Sequence, residues 1–452
     1  MRTYPGTAAT LIRPLTRLLD RPDDRNDALS LLRLIGPEAA PEATAPILQL
    51  ASNTETPIAD RALACLIEWE DPRALQLLAQ EIAARPLALQ AAFDHTRDPY
   101  RAPIRFDQHL LEAIRQRLCD LAVPTGGSPS GLIERLQGHN EPIYLAGILR
   151  AWGPGAAGAQ AELAKLLPHH PIQAADALAA LAHLSPDSLE RLREAPGSGT
   201  IADRLAIGRA LQILTGETTA LREAVIVGLG RQRAELAAAA IAAMELPGPD
   251  TELGANLDRA LRASTAAGRT KPDVEARLHA AHAHWQHTGD TDLVLPAVRS
   301  TLDWAAEHDH TQWTAVAAAD VAAHLAADAQ NLLPDLERLL SHPTTCPAAA
   351  HALLRINPQR WGGESRHELA AYLTEAIENG TSFPAQHRAV DVLAHLSTPL
   401  PPPIQARLHA LAERERRILS AGLETASVRS DDNLRRAIQR LISAPHTRGN
   451  SE

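Results

Sequence analysis

Lysine is almost missing from this chain: of 44 basic residues only Lys165 and Lys271 are lysine, leaving 42 arginines. Aromatic residues are scarce as well, at 3%, with three Phe, four Tyr and six Trp in 452 residues. Strands favour Val, Ile, Thr and aromatic side chains, so this scarcity argues against a β-rich protein. Cysteine is limited to Cys65, Cys119 and Cys346. An odd count, widely spaced and without a CxxC pair, excludes a disulfide framework and a cysteine zinc site. Each of the three sits among helix-compatible residues and reads as a small buried side chain. Long apolar runs are absent too. The most Ala-rich stretch, Leu236 to Met244, lies between Glu235 and Glu245 and is too short to span a bilayer. Arg13 and Arg17 interrupt Met1 to Asp24 before a signal-peptide core can form, which points to a cytoplasmic protein with no membrane partner.

What the chain has in abundance is alanine, with 85 copies within a hydrophobic fraction of 45%. That fraction excludes general disorder, and the Ala and Leu content points to an all-α protein. Formal net charge is −10, and the arginines are spread along the chain rather than gathered in a run. A nucleic-acid partner normally meets a basic patch or stripe, so nucleic acid is disfavoured.

Self-comparison reveals a repeat. Three helix openings, Pro142-Ile143, Pro171-Ile172 and Thr200-Ile201, stand 29 residues apart, and an earlier one, Pro57-Ile58, begins the tetrapeptide IADR found again at Ile201–Arg204. Six residues beyond each Ile come Ala64, Leu149, Leu178 and Ile207; twenty beyond come Leu78, Leu163, Leu192 and Leu221. A column of four leucines predicts a unit of two helices. Ile172, Ala175, Leu178 and Ala182 fall on one helical stripe of the first. Thr215-Gly216-Glu217 and Thr288-Gly289-Asp290 read as helix ends, because glycine takes positive φ without a Cβ penalty. Without a flanking strand or GxxxxGK[ST] spacing they are not phosphate loops.

The segments Arg61–Leu78, Asp176–Leu192 and Gly208–Val225, with fainter versions at Ala350–Trp361 and Arg388–Leu400, resemble the HEAT-repeat family, in particular the HEAT-like units named after phycobilisome lyases. The resemblance covers about Asp27 to Ala444. It implies an α-solenoid of roughly ten antiparallel helix pairs stacked into a superhelix, usually a binding scaffold. A tetratricopeptide array ranks second, since it carries aromatic landmarks on a 34-residue period, and no ankyrin signature occurs.

We expect N-terminal repeats over 1–122, a Gly/Ser/Pro linker at 123–131, further repeats over 132–442, and a tail at 443–452. Asp94 to Phe106 reads as an interruption, Pro399 to Pro403 as a rigid corner, and Ser430 to Asn433 as the N-terminal cap of a last helix ending at Ser443.

Candidate chemistry is sparse. His279, His282, His284 and His287 form the densest cluster, with Glu307, His308, Asp309 and His310 downstream. A metal needs at least three ligands in fixed geometry, and His279 aligns with the core-facing column of Ile148, Ala177 and Ala206, so packing is the expected role. HEAT-fold hydroxylases hold two irons with four His-Glu dipeptides; here one, His367-Glu368, occurs. HEAT-like DNA glycosylases set aromatics beside an Asp in a basic groove. Here Trp285, Trp304 and Trp313 neighbour Asp303, Glu307 and Asp309, whose charge repels phosphate, and the expected role of Trp is packing. No G-x-S-x-G elbow is present. Catalytic, cofactor and metal residues are therefore not assigned, and the expected function is a non-catalytic scaffold for a protein or peptide partner. The alternatives are a HEAT-fold enzyme, metal-dependent or glycosylase-like, and a lyase-like modifier or chaperone of a cofactor-bearing protein.

Overall fold

Alanine and leucine recurring every three or four residues give this chain short helices, each with an apolar stripe that a neighbouring helix must cover. The computed structural model describes residues 5–53, 58–97, 103–122, 132–195, 199–231, 233–264, 270–308, 312–362, 364–380, 382–396, 400–414 and 425–443, and every regular element among them is helical. The chain divides into two compact units, Met1–Val225 and Ile226–Glu452.

The first unit begins with α1 (Pro5–Leu18), α2 (Arg25–Ile35), α3 (Ala40–Ala51) and α4 (Ile58–Glu68). It continues with α5 (Ala74–Gln80), α6 (Pro86–Arg97), α7 (Gln108–Ala122), α8 (Leu132–Trp152) and α9 (Gln160–Leu166). Then come α10 (Pro171–Ala180), α11 (Pro186–Glu194) and α12 (Ile201–Thr215), while α13 (Thr219–Leu229) spans the division. Even-numbered helices stack in order, α2 on α4 and so on to α10 on α12. Odd-numbered ones form a second layer, in which α5 meets α7, α7 meets α9, and α9 meets α11. This two-layer stack of antiparallel helix pairs is a helical solenoid.

The second unit holds α14 (Ala234–Ala243), α15 (Thr251–Ser264), α16 (Lys271–Thr288) and α17 (Val294–Glu307). Next are α18 (Gln312–Leu325), α19 (Leu333–Arg338), α20 (Cys346–Ile356) and α21 (Glu364–Asn379). The last three are α22 (Phe383–His395), α23 (Pro402–Glu413) and α24 (Thr425–Ser443). The same alternation holds, with α14, α16, α18, α20, α22 and α24 stacked in turn.

The repeat register is realised in the packing. Leu78, Leu163, Leu192 and Leu221, one on each of α5, α9, α11 and α13, are all 0% exposed. Their partners on the even layer, Ala64, Leu149, Leu178 and Ile207, are buried as well. Gly153 and Ala182, which occupy one column of the 29-residue register, both have positive φ, 55° and 66°. Gly216 and Gly289 end α12 and α16 in the left-handed conformation, at φ 78° and 73°. Their preceding threonines act identically: Thr215 donates to Leu211 and accepts from the Glu217 N–H, and Thr288 donates to His284 and accepts from the Asp290 N–H. Gly208 allows a close approach between the layers, since a Cβ there would stand 2.6 Å from Leu221 Cα.

Three expectations are revised, and two fall outside the described residues. Pro171 and Thr200 do open helices, but Pro142 lies inside α8. A proline removes one intrahelical bond without preventing a helix from reaching it. Of the interruption expected from Asp94 to Phe106, Asp94 to Arg97 belong instead to α6, residues 103–106 are non-helical as expected, and 98–102 lie outside the described residues. Ser430 to Asn433 lie within α24, because Asp431 is buried and neutralised by Arg435 one turn on, at 2.9 Å, instead of capping in solvent. The linker at 123–131 lies outside the described residues, as does the tail from 444 onward; α6 with α8, and α7 with α9, pack across the former.

Candidate binding pocket

Arginine supplies nearly all the positive charge, so its placement decides where an anion can be held. Many guanidiniums are already engaged between one helix pair and the next. Arg33 pairs with Glu68, Arg115 with Glu162 at 3.1 Å, Arg117 with Glu141 at 2.6 Å, and Arg193 with Glu217 at 2.8 Å. In the second unit Arg388 pairs with Asp320, and Arg407 with Glu378 at 2.5 Å. Part of the even spread of arginine along the sequence is thus a ladder of ion pairs between helices.

Three further arginines come together in the second unit. The Arg231 side chain has no hydrogen-bond or ion-pair partner among the described residues, and its backbone N–H donates to the Gly228 carbonyl. Arg259 donates only to Asn256, at 2.8 Å, and Arg233 stays 3.6 Å from Asp273. All three are exposed and line one pocket of about 290 Å³ in the second unit. Its floor is apolar, made by Leu229, Leu236, Ala260 and Ala276, all buried. Asn256, Ser264 and Asp273 complete the polar part of the wall.

Each element places its contribution for a local reason. The sequence Gly230-Arg231-Gln232-Arg233 separates α13 from α14, and Arg233 adopts φ 53° and ψ −118°, a conformation L-residues rarely enter. Arg233 provides no side-chain cap to α14. Asp273 belongs to a capping box with Thr270 at the start of α16. The Thr270 hydroxyl, and then the Arg233 charge, hold its carboxyl below the usual range. Asn256 and Arg259 lie on one face of α15, three residues apart.

The histidine cluster does not converge. His282 stacks on Trp285 at 5.9 Å and on His324 of α18 at 5.0 Å. Burial, followed by repulsion from His324 and His279, lowers its pKa to about 4. His287 turns toward α14, where its Nε2 lies 2.8 Å from the Ala243 carbonyl oxygen, and Gln286 donates to the next carbonyl, Met244. His284 faces Thr288. His279 is half-buried, and burial lowers its pKa too. His308 stacks on Trp304, while Asp309 and His310 lie outside the described residues. Among the described residues no group of three or more His, Cys, Asp or Glu side chains is placed to hold a metal ion.

Cys65 and Cys346 are buried, as expected, and burial raises both thiols, Cys346 to about 12; Cys119 is only half-buried. Trp304 is packed and Trp285 half-buried, but Trp313, at the start of α18, is 49% exposed and departs from the packing role. The pocket itself was not legible in the sequence. Its one local trace is the doublet Arg231 and Arg233 beside Gly230, whereas Arg259 comes from the next helix and joins them only through folding. No helix among the described residues is long and apolar enough to cross a membrane. Comparisons with protein-family models and with curated proteins return no match.

Proposed function

We propose that this chain is a non-catalytic, HEAT-like repeat scaffold of the cytoplasm that holds a protein or peptide partner. The observation that carries this is the pocket at the α13–α14 turn, where Arg231, Arg259 and Arg233, the last 3.6 Å from Asp273, line the wall above an apolar floor. Clefts that combine an apolar lining with a few convergent polar groups are the usual form of a binding site. Stacked repeats supply such clefts at the turns between helices while the rest of each helix is committed to packing.

Photocrosslinking tests the proposal directly. Ala263 is exposed at the pocket wall, and p-benzoylphenylalanine placed there should give a discrete protein or peptide adduct in extracts of the source cells. The adduct should disappear when Arg231 and Arg259 are both changed to Gln. A crosslinking pattern identical in the charge-neutral variant, or no adduct at all, would count against a partner at this site.

A further inference from the structure

We infer that the pocket formed by α13, α14, α15 and α16 binds a carboxylate carried on a small apolar body, with Arg231, Arg233 and Arg259 taking the anion above the Leu229 and Leu236 floor. This deepens the proposed scaffold role and rests on it, by naming the chemistry the partner must present.

Charge is the first reason. Three arginines line the pocket against one carboxylate, Asp273, which accepts from the Thr270 backbone N–H and hydroxyl and lies 3.6 Å from Arg233, leaving a net positive lining. The pocket is therefore positive inside a chain whose net charge is −10. The planar guanidinium fork matches the two oxygens of a carboxylate, and such charge-assisted bonds are about twice as strong as neutral ones.

Shape and polarity are the second. The floor is Leu and Ala, so an inorganic anion would leave it uncovered, while an uncharged hydrocarbon would leave the arginines unanswered. A volume of about 290 Å³ suits a body the size of one large apolar side chain or a short acyl chain. Asp273 in the wall repels a doubly charged group more than a singly charged one, which favours carboxylate over phosphate.

Backbone conformation is the third. Arg233 holds a positive φ at which glycine would be unstrained. Backbone strain is enriched at ligand clamps, and here the side chain so held lines the pocket.

Calorimetry on the full chain decides the matter. Octanoate is the first probe, with n-octanol and inorganic phosphate as controls. Octanoate should bind, and both controls should bind at least about tenfold more weakly, given the extra strength of charge-assisted pairs and the apolar floor. Arg231→Gln and Arg259→Gln should each weaken octanoate by about tenfold, and Ala263→Trp should block it, all with melting temperatures near the parent's. A short peptide ending in Leu, free and C-terminally amidated, distinguishes the sources. Tighter binding of the free-carboxylate peptide than of octanoate identifies a chain terminus as the ligand, and the reverse order identifies a free acid. Binding of n-octanol or phosphate equal to octanoate, or indifference to both arginine variants, overturns the inference. That failure is separable from failure of the scaffold role, because the Ala263 crosslink reports a partner whatever its chemistry.

Discussion

Arg233 and His282 show how single residues in this fold are set against their local preference. Replacing Arg233 by glycine removes a Cβ from backbone at φ 53°, ψ −118°. Arg233→Gly should raise stability by about 1 kcal/mol, read as a higher denaturant midpoint with unchanged slope. The same change should weaken octanoate binding, since it deletes one of the three guanidiniums. His282 governs acid behaviour. Its folded pKa of about 4 lies below the ordinary 6.5, so the unfolded chain takes up a proton across that window while the folded chain does not. Stability contributed by neutral His282 is therefore complete above pH 6.5 and is lost as pH falls toward 4, by on the order of 3 kcal/mol. Chemical denaturation at pH 7 and pH 4.5 should show a smaller difference for His282→Gln than for the parent.

Helices in this protein are defined as much by what their neighbours give them as by their own sequence. The tetrapeptide IADR occurs twice and does two jobs. Asp203 closes a capping box with Thr200 on its own helix, α12. Asp60 instead accepts from the Leu87 and Ala88 N–H groups, each at 2.9 Å, and caps the neighbouring helix α6. Burial raises the Asp60 carboxyl despite those bonds. The close approach of α12 and α13 rests on Gly208. Gly208→Ala sets a methyl group 2.6 Å from Leu221 Cα, so the helices must separate. The expected loss is roughly 1–3 kcal/mol, measured by urea unfolding, the range for overpacking a tight contact. A destabilisation below about 0.5 kcal/mol, the range of surface changes, would show that α13 can simply shift.

For the molecule as a whole, stability should be local, because each helix pair meets its neighbours and little else. The C-terminal end offers the test. Arg435 pairs with buried Asp431 and also donates to the carbonyls of Ala412, at 3.0 Å, and Arg414, at 2.6 Å, which ties α24 to the end of α23. Asp431→Ala removes the buried carboxylate that this guanidinium pairs with. Hydrogen exchange should then quicken in α23 and α24 by roughly tenfold or more, since breaking a buried pair costs several kcal/mol, while helices of the first unit keep their protection. Equal acceleration in both units would contradict local stability.

At this scale the division between sequence and fold is also clearest. The all-α class, the paired helices, the 29-residue register and the glycine helix ends were determined by the sequence alone, because they depend on side-chain periodicity and backbone preference within a few residues. Only the tertiary structure decided that Asp431 is buried rather than capping, that Pro142 sits inside a helix, and that four nearby histidines face different neighbours. It alone brought Arg259 to Arg231 and Arg233. Burial and convergence depend on which helices stack together, and residues 26 or more apart along the chain carry no local signal of that.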